Sequence, residues 1–173
     1  MNRQRENGFT LVEMVAALTV LSLLAAIVGP LMANGARAYN DSAAALHTLS
    51  KLRVASERLV REIREIRNTG DYDILTSVAS PNSTLRFIKT DTETVTIDTA
   101  SSMLTLAYDS IAAANPYTLS DELSSITFRY WKSDGTTPAN NNTDIAFIDL
   151  ELVLTRAGNN YAQRSRIALR NKP

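Results

Sequence analysis

The hydrophobic and polar positions fall into three regimes along the chain. Residues 1–8 are polar, with Arg3 and Arg5 close to Glu6. From Met14 to Ala36 there follow 23 residues without a charge. Leu18, Val20, Leu21, Leu23, Leu24, Ile27, Val28, Leu31 and Met32 leave that run no polar face. A helix needs about 20 apolar residues to cross a bilayer, and a helix apolar all round is buried in protein or in lipid. No second apolar run of that length exists in the chain to cover it, so lipid is the predicted environment. After Pro30 the pattern becomes one-sided. Leu49, Leu52, Ser56, Leu59, Ile63 and Ile66 step by three and four and predict a narrow buried stripe. The other side carries Arg53, Glu57, Arg58, Arg61, Glu62, Arg64, Glu65 and Arg67. Glu57–Arg61 and Arg61–Glu65 stand at i,i+4 and predict two weak ion pairs. Asn68-Thr69-Gly70 predicts the stop, with Gly70 as a left-handed cap. One helix from Phe9 to Arg67, roughly 90 Å long, is the resulting expectation.

Residues 71–173 change period. Thr84–Ile88, Glu93–Asp98, Met103–Tyr108, Ser125–Tyr130, Ile145–Leu154 and Tyr161–Leu169 alternate as strands do. Ile126, Phe128 and Tyr130 share one side, and so do Ile148, Leu150, Leu152 and Leu154. A helical turn is predicted near Asp121-Glu122, and Gly158-Asn159-Asn160 reads as a hairpin turn. The fold class is therefore α+β: a long amino-terminal helix, half transmembrane and half amphipathic, packed on a mostly antiparallel sheet. The sheet must bury one face, and the helix stripe is the available partner.

Composition narrows the chemistry. Lys plus Arg is 18 and Asp plus Glu is 18, so no whole-chain field exists to hold nucleic acid, and no specific nucleic acid is predicted as a partner. The segment Lys51–Arg67 has a local excess of three positive charges, open to neighbouring proteins, acidic lipid or DNA, or simply solvated. Its interleaved glutamates argue against phosphate tracking. With no Cys and one His there are no disulfides, no thiolate or His-cluster metal sites and no Cys nucleophile. His47 has no Ser or carboxylate at catalytic spacing and reads as a surface or packing residue. Asp71 and Asp73 are the best acid pair and mark a turn. No G-x-S-x-G or Walker loop is present, so no enzyme and no cofactor are expected. Asp134, Asn140, Asn142 and Asp144 offer oxygen atoms to calcium, without the order of an EF-hand; turn chemistry explains them equally. Trp131 reads as a strand-end core aromatic or a partner anchor.

Glu13 is the anomaly, an acid at the start of a membrane segment, where ionisable groups are expensive. Thr10-Leu11-Val12-Glu13 has capping-box spacing, which is one explanation. Gly8 standing directly before Phe9 supplies another. Gly8-Phe9-Thr10-Leu11-Val12-Glu13, after a short basic leader and before the apolar run, resembles the processing site of type IV prepilins and type II secretion pseudopilins. That resemblance implies cleavage between Gly8 and Phe9 by a membrane prepilin peptidase, N-methylation of Phe9, and a Glu13 that sets axial register during assembly. It implies the following layout: 1–8 leader, 9–36 transmembrane half, 37–70 amphipathic half, 71–173 periplasmic sheet domain. The amino terminus would be cytoplasmic, with Arg3 and Arg5 on that side. Other pilins or pseudopilins, the inner-membrane assembly platform and membrane lipid are the implied partners. Gly29-Pro30 predicts a helix kink or local loosening, a feature of pilins and of membrane helices generally. Gly29-Pro30-Leu31, the Arg-rich helix end and the strand order are similar to minor pilins of the MshO and PilW kind and to J-type minor pseudopilins, subunits that prime or cap a filament. Two alternatives stay open: a cleaved secretory signal, with Ala25, Ala26 and Ala33 mimicking its site, and a single-pass anchored periplasmic binding domain outside any filament.

Overall fold

A computed structural model describes residues 9–68, 72–78, 81–110 and 116–169. One helix, α1, runs from Leu11 to Arg64. Seven strands follow: β1 Leu85–Ile88, β2 Thr94–Ala100, β3 Met103–Tyr108, β4 Tyr117–Ser120, β5 Leu123–Trp131, β6 Phe147–Arg156 and β7 Asn159–Ala168. The chain divides into two compact units, residues 1–43 and 44–173.

In the first unit the helix carries its apolar side chains outward. Leu18, Leu21, Leu24, Ile27 and Leu31 are all exposed, and no part of the most apolar window is buried by protein. The hydroxyls in this stretch are satisfied locally. Thr19 donates to the Ala16 carbonyl at 2.8 Å, and Ser22 donates to the Leu18 carbonyl. That suits a solvent without hydrogen-bonding partners. The helix continues unbroken through Gly29 and Pro30.

In the second unit Leu52, Ala55, Ser56, Leu59 and Ile63 of α1 are buried. The stripe departs from the sequence pattern at its start, because Leu49 is 45% exposed and Thr48 is buried in its place. The helix stops at Arg64, ahead of the predicted Asn68-Thr69-Gly70 signal. Ile66 instead joins a β-bridge to Lys89, and Asn68 one to Tyr72, so the chain has already turned toward the sheets. Gly70 lies outside the described residues, as do Asp71 and Gly8.

The strands form two antiparallel sheets where one was predicted: β1-β2-β3-β4 and β5-β6-β7. Alternation determines which side chains go in. Leu85 and Phe87, Val95 and Ile97, and Leu104 and Leu106 join Ile126, Phe128, Tyr130 and the four alternate residues of β6 in one core with the helix stripe. Strand β4 escaped the sequence reading because Tyr117-Thr118-Leu119-Ser120 is short and has few apolar residues. Asp121-Glu122 is a bend between β4 and β5 rather than a helical turn. The last hairpin turns one residue earlier than predicted. Arg156 pairs with Asn159, leaving Ala157 and Gly158 as the two turn residues, both at positive φ (50° and 79°). A two-residue turn with φ > 0 at both positions matches the twist of its strands.

Candidate functional site

The amino-terminal turn of α1 is built by Thr10. Its hydroxyl accepts from the Glu13 N–H at 3.3 Å, and its carbonyl accepts from the Met14 N–H at 3.1 Å. This is half of a capping box. Glu13 stands in the first helical turn, where the positive end of the helix dipole suits a carboxylate. Among the described residues its carboxylate has no hydrogen bond and no ion pair. Phe9 is exposed beside it. Pro30 carries no N–H for the Ala26 carbonyl, yet the helical path persists. A Cβ at Gly29 would meet nothing, so neither residue is explained by packing within the chain.

Two ionic clusters hold the carboxy-terminal half of the helix on the sheets, and the sequence pattern missed both. Near its start, Glu122 accepts from the Thr48 hydroxyl at 2.9 Å and pairs with Lys51 (3.2 Å) and Arg156, while Lys51 also reaches Asp121 at 2.6 Å. Burial opposes the Glu122 charge, but the Thr48, Lys51 and Arg156 bonds outweigh it and hold the carboxyl below its usual range. Near its end, buried Glu62 pairs with Arg58 at 2.7 Å and Lys89 at 3.2 Å and accepts from the Tyr108 hydroxyl at 2.9 Å. Lys89 also meets Glu65 at 2.7 Å. Burial pulls the Lys89 amine down, but its bonds to Glu65 and Glu62 prevail and raise it. The helix ion pairs are therefore Arg53–Glu57 (2.8 Å) and Arg58–Glu62. The predicted Glu57–Arg61 and Arg61–Glu65 pairs do not form among the described residues, because Glu57 is taken by Arg53 and Glu65 by Lys89. Arg61 and Arg64 are left exposed.

A third cluster lies on the outer side of β5-β6-β7. Asp149 is 2% exposed and accepts from Arg166 (2.7 and 2.9 Å), from Arg164 (3.2 Å) and from the Trp131 indole N–H (3.0 Å). The Arg166 bonds hold its carboxyl below the usual range, against the effect of burial. Arg166 lies over the Trp131 and Phe147 rings at 5.7 and 5.9 Å. Trp131 is thus half-buried beneath an arginine on the outer face, not in the core. Counting from the two-residue turn would have found this cluster, since that register sets Asp149 opposite Arg166.

Three of the four loop residues weighed for calcium make structural bonds. Asp134 accepts from the N–H groups of Thr136 and Thr137, both at 2.9 Å, and from the Thr137 hydroxyl. These bonds, the hydroxyl's first, bring its carboxyl down to about 2. Asp144 pairs with Lys132 at 3.2 Å, and the Asn142 amide donates to the Ile74 carbonyl at 2.9 Å. Asn140 is exposed. Among the described residues no three His, Cys, Asp or Glu side chains are grouped to hold a metal ion. Asp73 pairs with Arg67 at 2.7 Å, and His47 is exposed on the helix.

What stands out is therefore the amino-terminal segment, an apolar helix with one acid at its head that has no partner among the described residues. Residues 3–29 match the family described as the prokaryotic N-terminal methylation motif. Together with the helix-and-sheet layout, that match supports a type IV prepilin-like protein, and the one helix among the described residues long and apolar enough to cross a membrane supports a membrane anchor. None of the curated proteins matches the chain. A motif of this kind implies interaction with other pilins and with the prepilin peptidase.

Proposed function

We propose that the chain is a minor pilin or pseudopilin, a structural subunit that primes or caps a type IV pilus of the MSHA type or a type II secretion pseudopilus. In this reading the peptidase cuts between Gly8 and Phe9 and methylates Phe9. Residues 9–36 cross the inner membrane with the amino terminus cytoplasmic, residues 37–70 form the amphipathic half of the helix, and residues 71–173 form the periplasmic domain. The assembly platform and neighbouring subunits receive the helix as it leaves the lipid, and Gly29-Pro30 provides the point where the helix can yield.

The observation that carries this reading is Glu13, an acid at the head of a lipid-suited helix with no partner among the described residues. Cleavage at Gly8 would create an α-amino cation on Phe9. A cation within about 4–6 Å keeps a carboxylate ionised in an apolar setting. On a neighbouring subunit, that amine would supply a partner that Glu13 does not find among the described residues, and would favour one axial offset between helices.

The test is the mass of the protein purified from its native membrane. A chain beginning at methylated Phe9 is expected, and Gly8→Leu should abolish processing. Glu13→Ala should leave processing intact and reduce incorporation into filaments. A native protein retaining its first eight residues, outside any filament, would refute the reading and support a single-pass anchored binding domain.

A further inference from the structure

Strand β7 is ten residues long and pairs on one side only, with β6. Its register shows which backbone groups are left over. Arg156 and Asn159 close a two-residue hairpin, and the Leu169 N–H donates to the Ala146 carbonyl at 3.0 Å. Both facts turn the odd-numbered residues toward β6. The N–H and C=O groups of Asn160, Ala162, Arg164, Arg166 and Ala168 therefore face the open edge. Among the described residues none of them has a backbone partner there.

The other edges are managed. Asn82 exchanges backbone hydrogen bonds with Phe128 of β5 (3.1 and 2.7 Å), and the Ala139 N–H closes on Tyr130 at 2.9 Å. On β1, the Leu75 N–H donates to the Arg86 carbonyl at 2.7 Å, and the Ile88 N–H donates to the Asp73 carbonyl at 2.8 Å. Strand β4 has only four residues. An edge as long as β7 is a template for an added strand, and proteins ordinarily blunt such edges with charges. Here the candidate guards, Arg164 and Arg166, are bound to Asp149 and so drawn over the sheet face.

Beside this edge, between β7 and the helix, lies a groove of about 530 Å³. Ser56, Val60, Gln163 and Ser165 line it together with Arg61 and Arg64. Glu57 and Glu65 also border it, but they are occupied by Arg53 and Lys89. The groove therefore presents two arginines without an acid partner among the described residues. A strand added to β7 would direct alternate side chains toward them. We propose that the β7 edge and the Arg61–Arg64 pair form a docking site for an acidic extended segment of another protein, added as a fourth strand to β5-β6-β7. A second copy of β7 is a poor occupant. Asn159–Ala168 contains two arginines and no acid, so edge-to-edge pairing would set like charges together. The inference goes beyond the filament reading and does not require it.

The test uses the full chain in detergent micelles and two fluorescent nine-residue peptides, one of alternating Glu and Thr, the other of alternating Lys and Thr. The glutamate peptide should bind about ten-fold tighter, the size expected of two favourable exposed charge contacts with Arg61 and Arg64. Ala162→Pro removes an outward N–H without touching the β6 ladder. It should weaken binding about ten-fold or more while the circular dichroism stays native. Arg61→Glu with Arg64→Glu should reverse the preference in favour of the lysine peptide, an outcome that general destabilisation would not produce. Equal affinity for the two peptides would overturn the proposal. So would unchanged binding in Ala162→Pro, or self-association of the chain that Ala162→Pro abolishes.

Discussion

Tyr130 offers a test in which removing a polar group should help. Its side chain is fully buried on β5, and its hydroxyl makes no hydrogen bond of good geometry among the described residues, the nearby Asn82 amide being bound to the Ser77 carbonyl. Burial pushes the phenol up to about 12, partly offset by the Asn82 side chain. A buried, unsatisfied hydroxyl costs about 1–3 kcal/mol relative to water, while the gap left by one oxygen costs less than about 1 kcal/mol. Tyr130→Phe should therefore be neutral or stabilising by about 0–2 kcal/mol at pH 7. The pH profile gives a second handle. The folded phenol titrates above the unfolded value of about 10, so its contribution is fully present below pH 10 and is lost as pH rises toward 12. Between those values the unfolded chain gives up a proton that the folded chain keeps, and stability falls by up to about 1.4 kcal/mol per pH unit. Burial also raises Tyr72 and Tyr108, so both proteins will decline. The difference between them isolates Tyr130. Denaturant titration of the full chain in micelles at pH 7, 10, 11 and 12, followed by Trp131 fluorescence, should show Tyr130→Phe gaining steadily on the native chain. A variant more than about 1 kcal/mol weaker at pH 7, or a gap that does not grow with pH, would refute the reasoning and place a partner on the hydroxyl.

Leu59→Ala empties the centre of the helix stripe and should cost about 3–5 kcal/mol in the same titration; a loss under about 1 kcal/mol would mean the stripe is not the core contact. Ala157→Gly relieves a positive φ at the β6–β7 turn and should gain about 0.5–1 kcal/mol, read as a higher thermal midpoint. Asp134→Ala removes an acceptor of three hydrogen bonds. Because the Asp134 carboxyl is held near 2, its contribution is present above about pH 4 and lost as pH falls toward 2. The variant should be weaker at neutral pH, and its acid limb should be shallower.

Much of the fold follows from period alone. The switch from all-round apolar to one-sided to alternating marked the helix and six of the seven strands. What stayed hidden has physical causes. Strand β4 has too few apolar residues to alternate visibly. The early helix end came from a long-range bridge, Ile66 to Lys89, that no local cap encodes. The ionic clusters were missed because Lys89 and Tyr108, and the partners of Glu122, are distant in sequence; the local Arg58–Glu62 pair was open to the i,i+4 rule, which was instead applied to Glu57, Arg61 and Glu65. At the amino terminus the reverse held. The methylation motif that residues 3–29 match was legible because it is contiguous in sequence, and the structure adds the Thr10 cap to the Glu13 N–H.

The two ionic clusters do something the apolar stripe cannot. Leu52, Ala55 or Ser56, Leu59 and Ile63 repeat every three or four residues, so a slide of one turn, about 5.4 Å, sets one aliphatic side chain where another was. Apolar burial alone therefore distinguishes neighbouring registers weakly. The same slide would pull Thr48 and Lys51 away from half-buried Glu122, and Glu62 away from Lys89 and Tyr108, leaving the buried Glu62 charge short of partners. Breaking one buried pair costs about 3–5 kcal/mol, even where the intact pair adds little net stability. The clusters thus act on register more than on stability. In the filament reading proposed above, the first half of the helix passes from lipid to protein, and charges at both ends of the stripe would hold the second half at one axial position where leucines in the middle do not.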